Sequence, residues 1–262
     1  MLMNTTDVLL FEQADGIATI TINRPEVRNA FTVEMWRRLR QLAEEIQANG
    51  EARVVILQGA GGQAFTAGSD IRELATMTVD EVNQNLHVVE DAISAIENLP
   101  VPTIACLNGY AIGGGLELAL GCDLRVASEQ AQMGIPVSKL GVAISHRFAR
   151  RLVELVGPSR AKDLLYTGRL VDAREAHAMG LVNYLAPADR LNEAVRDLAR
   201  RIAQHSGTAL RAAKEAVAIC LPENDDVVSQ GERVDPVDFT EGIRAWLEKR
   251  APRFQAEAGG GR

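Results

Sequence analysis

Two glycine-rich turns and one carboxylate are the residues of this chain whose types and spacing suit chemistry. Ala64-Phe65-Thr66-Ala67-Gly68-Ser69-Asp70-Ile71 sets a tight turn of small residues ahead of a helix. Asn108-Gly109-Tyr110-Ala111-Ile112-Gly113-Gly114-Gly115-Leu116-Glu117 follows a strand with three glycines and opens a second helix that carries Glu117. Glycine lets a backbone approach a ligand with no Cβ in the way. Amides at a helix start are unpaired and favour negative charge. Two such turns facing each other make an oxyanion hole from main-chain donors, and each such donor is worth about a hundred- to a thousandfold in rate. Either turn alone reads rather as tight packing of helix on strand, and Glu117 has a second reading as a dipole-complementing carboxylate. Together they read as a place where negative charge develops and a proton moves.

Other chemistries find less support. Gly59-Ala60-Gly61-Gly62-Gln63-Ala64 fits G-x-G-x-x-A after a strand, but no helix opens directly behind it. Ser69 lacks the first and last glycines of a G-x-S-x-G nucleophile elbow. The four histidines have no ligand spacing to one another or to cysteines, so no metal is expected. Three cysteines without a C-x-x-C pair suit reduced thiols in a cytoplasm. A net charge of −7 argues against nucleic acid but leaves room for a small phosphorylated ligand. No apolar run nears the roughly 20 residues that span a bilayer, and the polar N-terminus shows no signal peptide. A cytoplasmic protein is the expectation.

The elements that must position these turns follow from periodicity. Residues 8–13 and 17–22 alternate about Ala14-Asp15-Gly16 as a hairpin. Thr32 caps a helix running to about residue 48, with Met35, Leu39, Leu42 and Ile46 on one face. Strands are expected at 54–58, 103–107 and 123–127, a glycine-rich loop at 59–68 and a helix at 79–98. Beyond residue 190 the pattern turns helical, at 191–204, 208–220 and about 238–250, ahead of a mobile tail at 256–262. Interleaved strands and helices indicate an α/β fold. At 262 residues the chain has room for one domain and a helical appendage.

A resemblance sharpens this. Asn23-Arg24-Pro25 with Asn29-Ala30-Phe31, Ala67-Gly68-Ser69-Asp70, and the segment 108–117 are followed by Cys122-Asp123-Leu124-Arg125. Tyr166-Thr167-Gly168, Ala176, Gly180-Leu181-Val182, Glu241-Gly242 and Glu248-Lys249-Arg250 complete the series. In this order, across roughly residues 8–254, the chain resembles the crotonase (enoyl-CoA hydratase/isomerase) family. The resemblance implies a spiral of ββα units over residues 1–203 and a C-terminal helical region over 204–262 that trimerises, often as a dimer of trimers. It implies an acyl-CoA thioester substrate, with coenzyme A part of that substrate and no permanently bound cofactor. The oxyanion-hole amides correspond to Ser69 and Gly114, and the proton carrier to Glu117. The coenzyme A stretch corresponds to Arg28, Ala30, Ala67, Ser69, Asp70, Ile71 and Arg72. Lys249 matches a basic residue that reaches the nucleotide end, often in a neighbouring subunit; its other reading is a cation at a helix C-terminus.

The chain departs from the family at two places. Hydratases carry a second glutamate after Gly-x-Pro, whereas here Gly134-Ile135-Pro136 precedes Val137. One carboxylate suffices to shuttle a proton between two carbons, so hydration loses ground to isomerisation on mechanism, while family frequency favours hydration. Ile144-Ser145-His146-Arg147-Phe148 stands where hydratases often run Pro-Gly-x-Gly-Gly. His146 is a candidate second acid or base there, or a surface residue opening a helix. Decarboxylase or C–C lyase chemistry uses the same hole, and a catalytically silent member acting as a coenzyme A-binding scaffold is the rival from another class.

Overall fold

The first hairpin closes on Asp15 and Gly16, both at positive φ, a turn whose twist matches that of the flanking strands. Strand β1 (Leu9–Ala14) runs antiparallel to β2 (Ile17–Ile22), which turns Ala18, Ile20 and Ile22 into the core. In the computed structural model, which describes residues 8–220 and 234–254, helix α1 (Val33–Asn49) follows. Thr32 Oγ1 accepts from the Met35 amide at its start, and Gly50 ends it in the left-handed conformation. Its buried face is the expected one, extended by Trp36 and Ala43.

Three successive turns of chain then repeat one plan. Strands β3 (Val54–Gly59) and β4 (Ala64–Thr66) lead into α2 (Ile71–Leu74) and α3 (Val79–Glu97). Next come β5 (Thr103–Leu107), β6 (Tyr110–Ile112) and α4 (Gly114–Leu120). The third turn is β7 (Leu124–Ser128), β8 (Gln132–Gly134) and α5 (His146–Thr167), which breaks at Gly157 ahead of Pro158. Each turn gives one strand to each of two sheets, which is the expected spiral of ββα units. After β9 (Leu170–Asp172), α6 (Ala173–Ala178) and β10 (Tyr184–Ala186), the sheets read β1-β2-β3-β5-β7-β10 and β4-β6-β8-β9. Strand β4 lies inside the expected 59–68 loop. It pairs with β6 alone through residues 64 and 66, too little to announce itself by alternation.

The three C-terminal helices behave differently from one another. Helix α7 (Leu191–Ala203) buries Leu191, Val195 and Ala199 against the large sheet. Helix α8 (Gly207–Cys220) has no buried residue and is tied down by Lys214, whose ammonium reaches Asp123 at 2.9 Å. Helix α9 (Pro236–Leu247) folds back, packing Phe239 and Ile243 with Leu74 and Val82. It stops short of the expected residue 250, because Lys249 adopts φ 54° and the Arg250 amide returns to the Ala245 carbonyl. The expected tail at 256–262 lies outside the described residues. Among the described residues no helix is long and apolar enough to cross a membrane.

Candidate active site

The two glycine-rich turns stack on each other. Gly68 sits at φ 85°, and a Cβ there would fall 2.8 Å from the Ile112 carbonyl oxygen and 3.0 Å from the Gly114 nitrogen, so this position admits only glycine. Phe31 pairs with the strand beyond: its amide donates to the Gly68 carbonyl at 2.8 Å and its carbonyl accepts from Asp70 at 2.7 Å. The Ser69 amide between these bonds has no hydrogen-bond acceptor among the described residues. Gly113, at φ 55° and ψ −122°, turns the chain into α4, whose first amide is that of Gly114. A first-turn amide has no acceptor within its helix. A Cβ on Gly114 would stand 3.9 Å from the Ser69 nitrogen, so the two N–H groups border one space.

Two connected cavities open from that space. The outer, of about 570 Å³, is lined by Arg28, Ala30, Ala67, Ser69, Asp70, Ile71 and Arg72, and also by Lys139 and Trp246. The inner, of about 120 Å³, holds Glu117 and Val137 among apolar walls from Leu86, Val89 and Phe148. Ala67, Ser69, Ile112 and Pro136 line both, so Ser69 sits at their junction and Gly114 in the inner wall beside it. Among the described residues Glu117 is the one carboxylate that lines the inner cavity. Asp70 is occupied by the Arg24 guanidinium at 3.2 Å and by the Arg72 amide, whereas Arg28 and Arg72 have no carboxylate partner among the described residues. The outer cavity therefore presents two guanidiniums without a carboxylate partner, that of Arg28 lying 5.2 Å from the Tyr110 ring centroid, and the inner cavity presents one carboxylate.

The model of the family described as enoyl-CoA hydratase/isomerase matches residues 12–257. The chain belongs to the enoyl-CoA hydratase/isomerase, or crotonase, family. The mitochondrial methylglutaconyl-CoA hydratase of Mus musculus is 34% identical to it over 260 residues, covering 95% of this chain and 82% of that protein. A solved enoyl-CoA hydratase from Mycobacterium avium subsp. paratuberculosis aligns with a TM-score of 0.85 at 28% identity, covering 95% of this chain and 99% of that one. One from Bacillus anthracis aligns with a TM-score of 0.78 at 34% identity, over 95% and 99%.

Within this family member, the sequence-derived residues divide. All seven of the coenzyme A stretch line the outer cavity, and Gly114 and Glu117 line the inner one. His146 lines neither and is exposed. The cause is local: Ser145 is the N-cap of α5, accepting from the Phe148 amide at 2.9 Å, and the residue after it turns outward. Lys249 also lines neither cavity of its own chain and is exposed.

Three features escaped the sequence reading. Trp36 Nε1 donates to Ser69 Oγ at 3.2 Å, with its ring stacked on Phe31 at 4.1 Å. Lys139 and Trp246 join the outer wall from elements too far along the chain to be paired by spacing. Around Glu117 lies a buried charge cluster: Arg151 Nη1 is 2.7 Å from Glu90 and 3.7 Å from Glu117, and Nη2 is 2.6 Å from Glu97. Burial pushes the Glu90 carboxyl up, but the Arg151 charge and hydrogen bonds from Ser145 and Glu117 hold it below its usual range. Glu90, Ser94 and Glu97, spaced to share one side of α3 beside its buried Val89, Ile93 and Ile96, were the available signal. Cys106 and Cys122 are buried thiols pushed to about 12 by that burial, which leaves them unreactive.

Proposed function

We propose that this enoyl-CoA hydratase/isomerase family enzyme takes an acyl-CoA with its thioester oxygen between the amides of Ser69 and Gly114. Its nucleotide end lies among Arg28, Arg72 and Lys139. As the α-proton leaves, negative charge grows on the thioester oxygen, and the two N–H groups stabilise that enolate. Glu117 takes the proton from one carbon and returns it at another, moving the double bond along the chain.

The observation that carries this reading is the composition of the inner cavity: one carboxylate, Glu117, with Val137 where hydratases of the family have their second. Syn-hydration must deprotonate water and protonate the α-carbon, and Val137 can do neither. The reading is tested with two substrates and one variant. A 3-enoyl-CoA should gain conjugated-thioester absorbance, and crotonyl-CoA should lose it slowly. Glu117→Gln should cut turnover by at least about a hundredfold with coenzyme A binding nearly unchanged. Fast hydration of crotonyl-CoA would reverse the order of the two activities, and full turnover by Glu117→Gln would remove Glu117 from the mechanism. Self-association as a trimer or dimer of trimers, with Lys249 reaching a neighbour's ligand, belongs to the same proposal.

A further inference from the structure

Glu90 lines neither cavity, yet its carboxylate and that of Glu117 flank the same nitrogen, Arg151 Nη1. Glu90 and Glu117 are 7% and 6% exposed, so neither charge is dispersed by water. Two carboxylates sharing one guanidinium nitrogen cannot both ionise cheaply at such depth. One cation answers them. Arg151, 3% exposed, places Nη1 at 2.7 Å from Glu90 Oε1 and at the longer 3.7 Å from Glu117 Oε1. Nη1 has no aligned hydrogen bond, while Nε and Nη2 are committed to Glu97 at 3.0 and 2.6 Å. The second Glu90 oxygen takes the Ser145 hydroxyl at 2.5 Å. The remaining charges near the cluster, Arg150 and Glu154 of α5, pair with Glu97 and with each other at 3.6 and 3.7 Å. The negative end of the Glu90–Glu117 pair is thus pinned on Glu90, which leaves Glu117 as the group that gains and loses a proton.

We propose that Glu90 is the positioning residue of the proton transfer: kept ionised by Arg151 and Ser145, it receives the Glu117 hydroxyl as a hydrogen bond and makes Glu117 the stronger base. This rests on the reading of Glu117 as the acid/base group. When a C–H bond at the α- or γ-carbon breaks, its electron pair enters the enolate and the proton bonds to Glu117. In the return step that O–H bond breaks and the proton goes to the other carbon. Glu90 exchanges no proton in either step. The family's second carboxylate is absent across the cavity at Val137, and this one stands beside Glu117 instead.

The test is the pH dependence of kcat and KM for the full-length protein, Glu90→Gln and Glu90→Asp, on the substrate the unaltered enzyme turns over, with Glu117→Gln in parallel. Glu90→Gln should lower kcat about tenfold or more with KM little changed, and move the acid limb of kcat/KM down by about one pH unit, because the anion that favours the protonated form is gone. Glu90→Asp keeps the charge and should fall between. Unaltered kcat, or lost activity with the acid limb unmoved, overturns the proposal. If Glu90→Gln does not fold, Glu90→Asp decides alone: an intermediate rate with a displaced limb supports the role, and unaltered values remove it. An inactive Glu117→Gln beside a fully active Glu90→Gln sinks only Glu90, whereas an active Glu117→Gln sinks both readings.

Discussion

Trp36 Nε1 donates to Ser69 Oγ at 3.2 Å, so the side chain of the residue whose amide is proposed to hold the thioester oxygen is anchored on a core indole. The indole is itself fully buried and stacked on Phe31. The geometry separates two jobs within one residue, the hydroxyl fixing the turn and the N–H facing the cavity junction.

It follows that Ser69→Ala and Ser69→Pro should differ sharply. Alanine leaves the Trp36 N–H without its partner, which costs about 1–3 kcal/mol of stability, but keeps the amide. Its turnover should stay within about tenfold of the unaltered enzyme. Proline removes the donor, and turnover should fall by about a hundred- to a thousandfold. Steady-state kinetics beside a thermal melt checks both. Equal inactivity of two folded variants would assign chemistry to the hydroxyl.

Val137 offers the converse experiment. Its Cγ1 lies 3.8 Å from where a Gly113 Cβ would stand, so a longer side chain at 137 starts within reach of the turn that leads to Glu117. Val137→Glu should raise the hydration rate of crotonyl-CoA about tenfold or more relative to double-bond migration, since a second carboxylate can then orient water. The ratio of the two activities is the readout. An unchanged ratio in a folded variant would show that the missing acid does not set the reaction.

Much of the frame was legible because it is local. Thr32, Gly50 and the 3.6-residue apolar period define α1 without reference to anything distant. Asp15-Gly16 does the same for the hairpin. The stacking of the two glycine-rich turns was legible for a related reason: close backbone approach shows in the sequence as glycines. What stayed hidden are pairings between side chains on separate helices. Nothing in α3 alone says that Glu90 meets Arg151 of α5, and nothing in α9 says that Phe239 returns to Leu74. His146 lies outside both cavities, because proximity in sequence to a cavity residue says little at a helix N-terminus, where consecutive side chains diverge by about 100°.

The same buried cluster gives stability an acid dependence. The Glu90 carboxyl is held below its ordinary value of 4.5 in the folded protein. A depressed carboxyl contributes stability that is complete above the unfolded value and is lost as pH falls through the folded one. The melting temperature should therefore decline as pH drops below about 4.5, and Glu90→Gln, with less to lose, should decline less steeply although it starts lower. Parallel curves for the two proteins would place the acid sensitivity elsewhere.

Helix α9 connects stability to substrate binding. Phe239 is buried against Leu74 and Val82, and Gly242 packs so closely that a Cβ there would lie 2.6 Å from Leu140 Cα. Leu140 lines both cavities, and Trp246 of α9 lines the outer one, so α9 supports the wall of the proposed coenzyme A site. Phe239→Ala should cost about 3 kcal/mol by leaving a cavity beneath the helix. Because Glu117 and the amide pair stand on other elements, KM should rise several-fold while kcat changes little. Gly242→Ala should act in the same direction by pushing the helix off Leu140 without deleting apolar volume. A fall in kcat at unaltered KM in either variant would mean that α9 acts on the proton transfer and not on the binding wall.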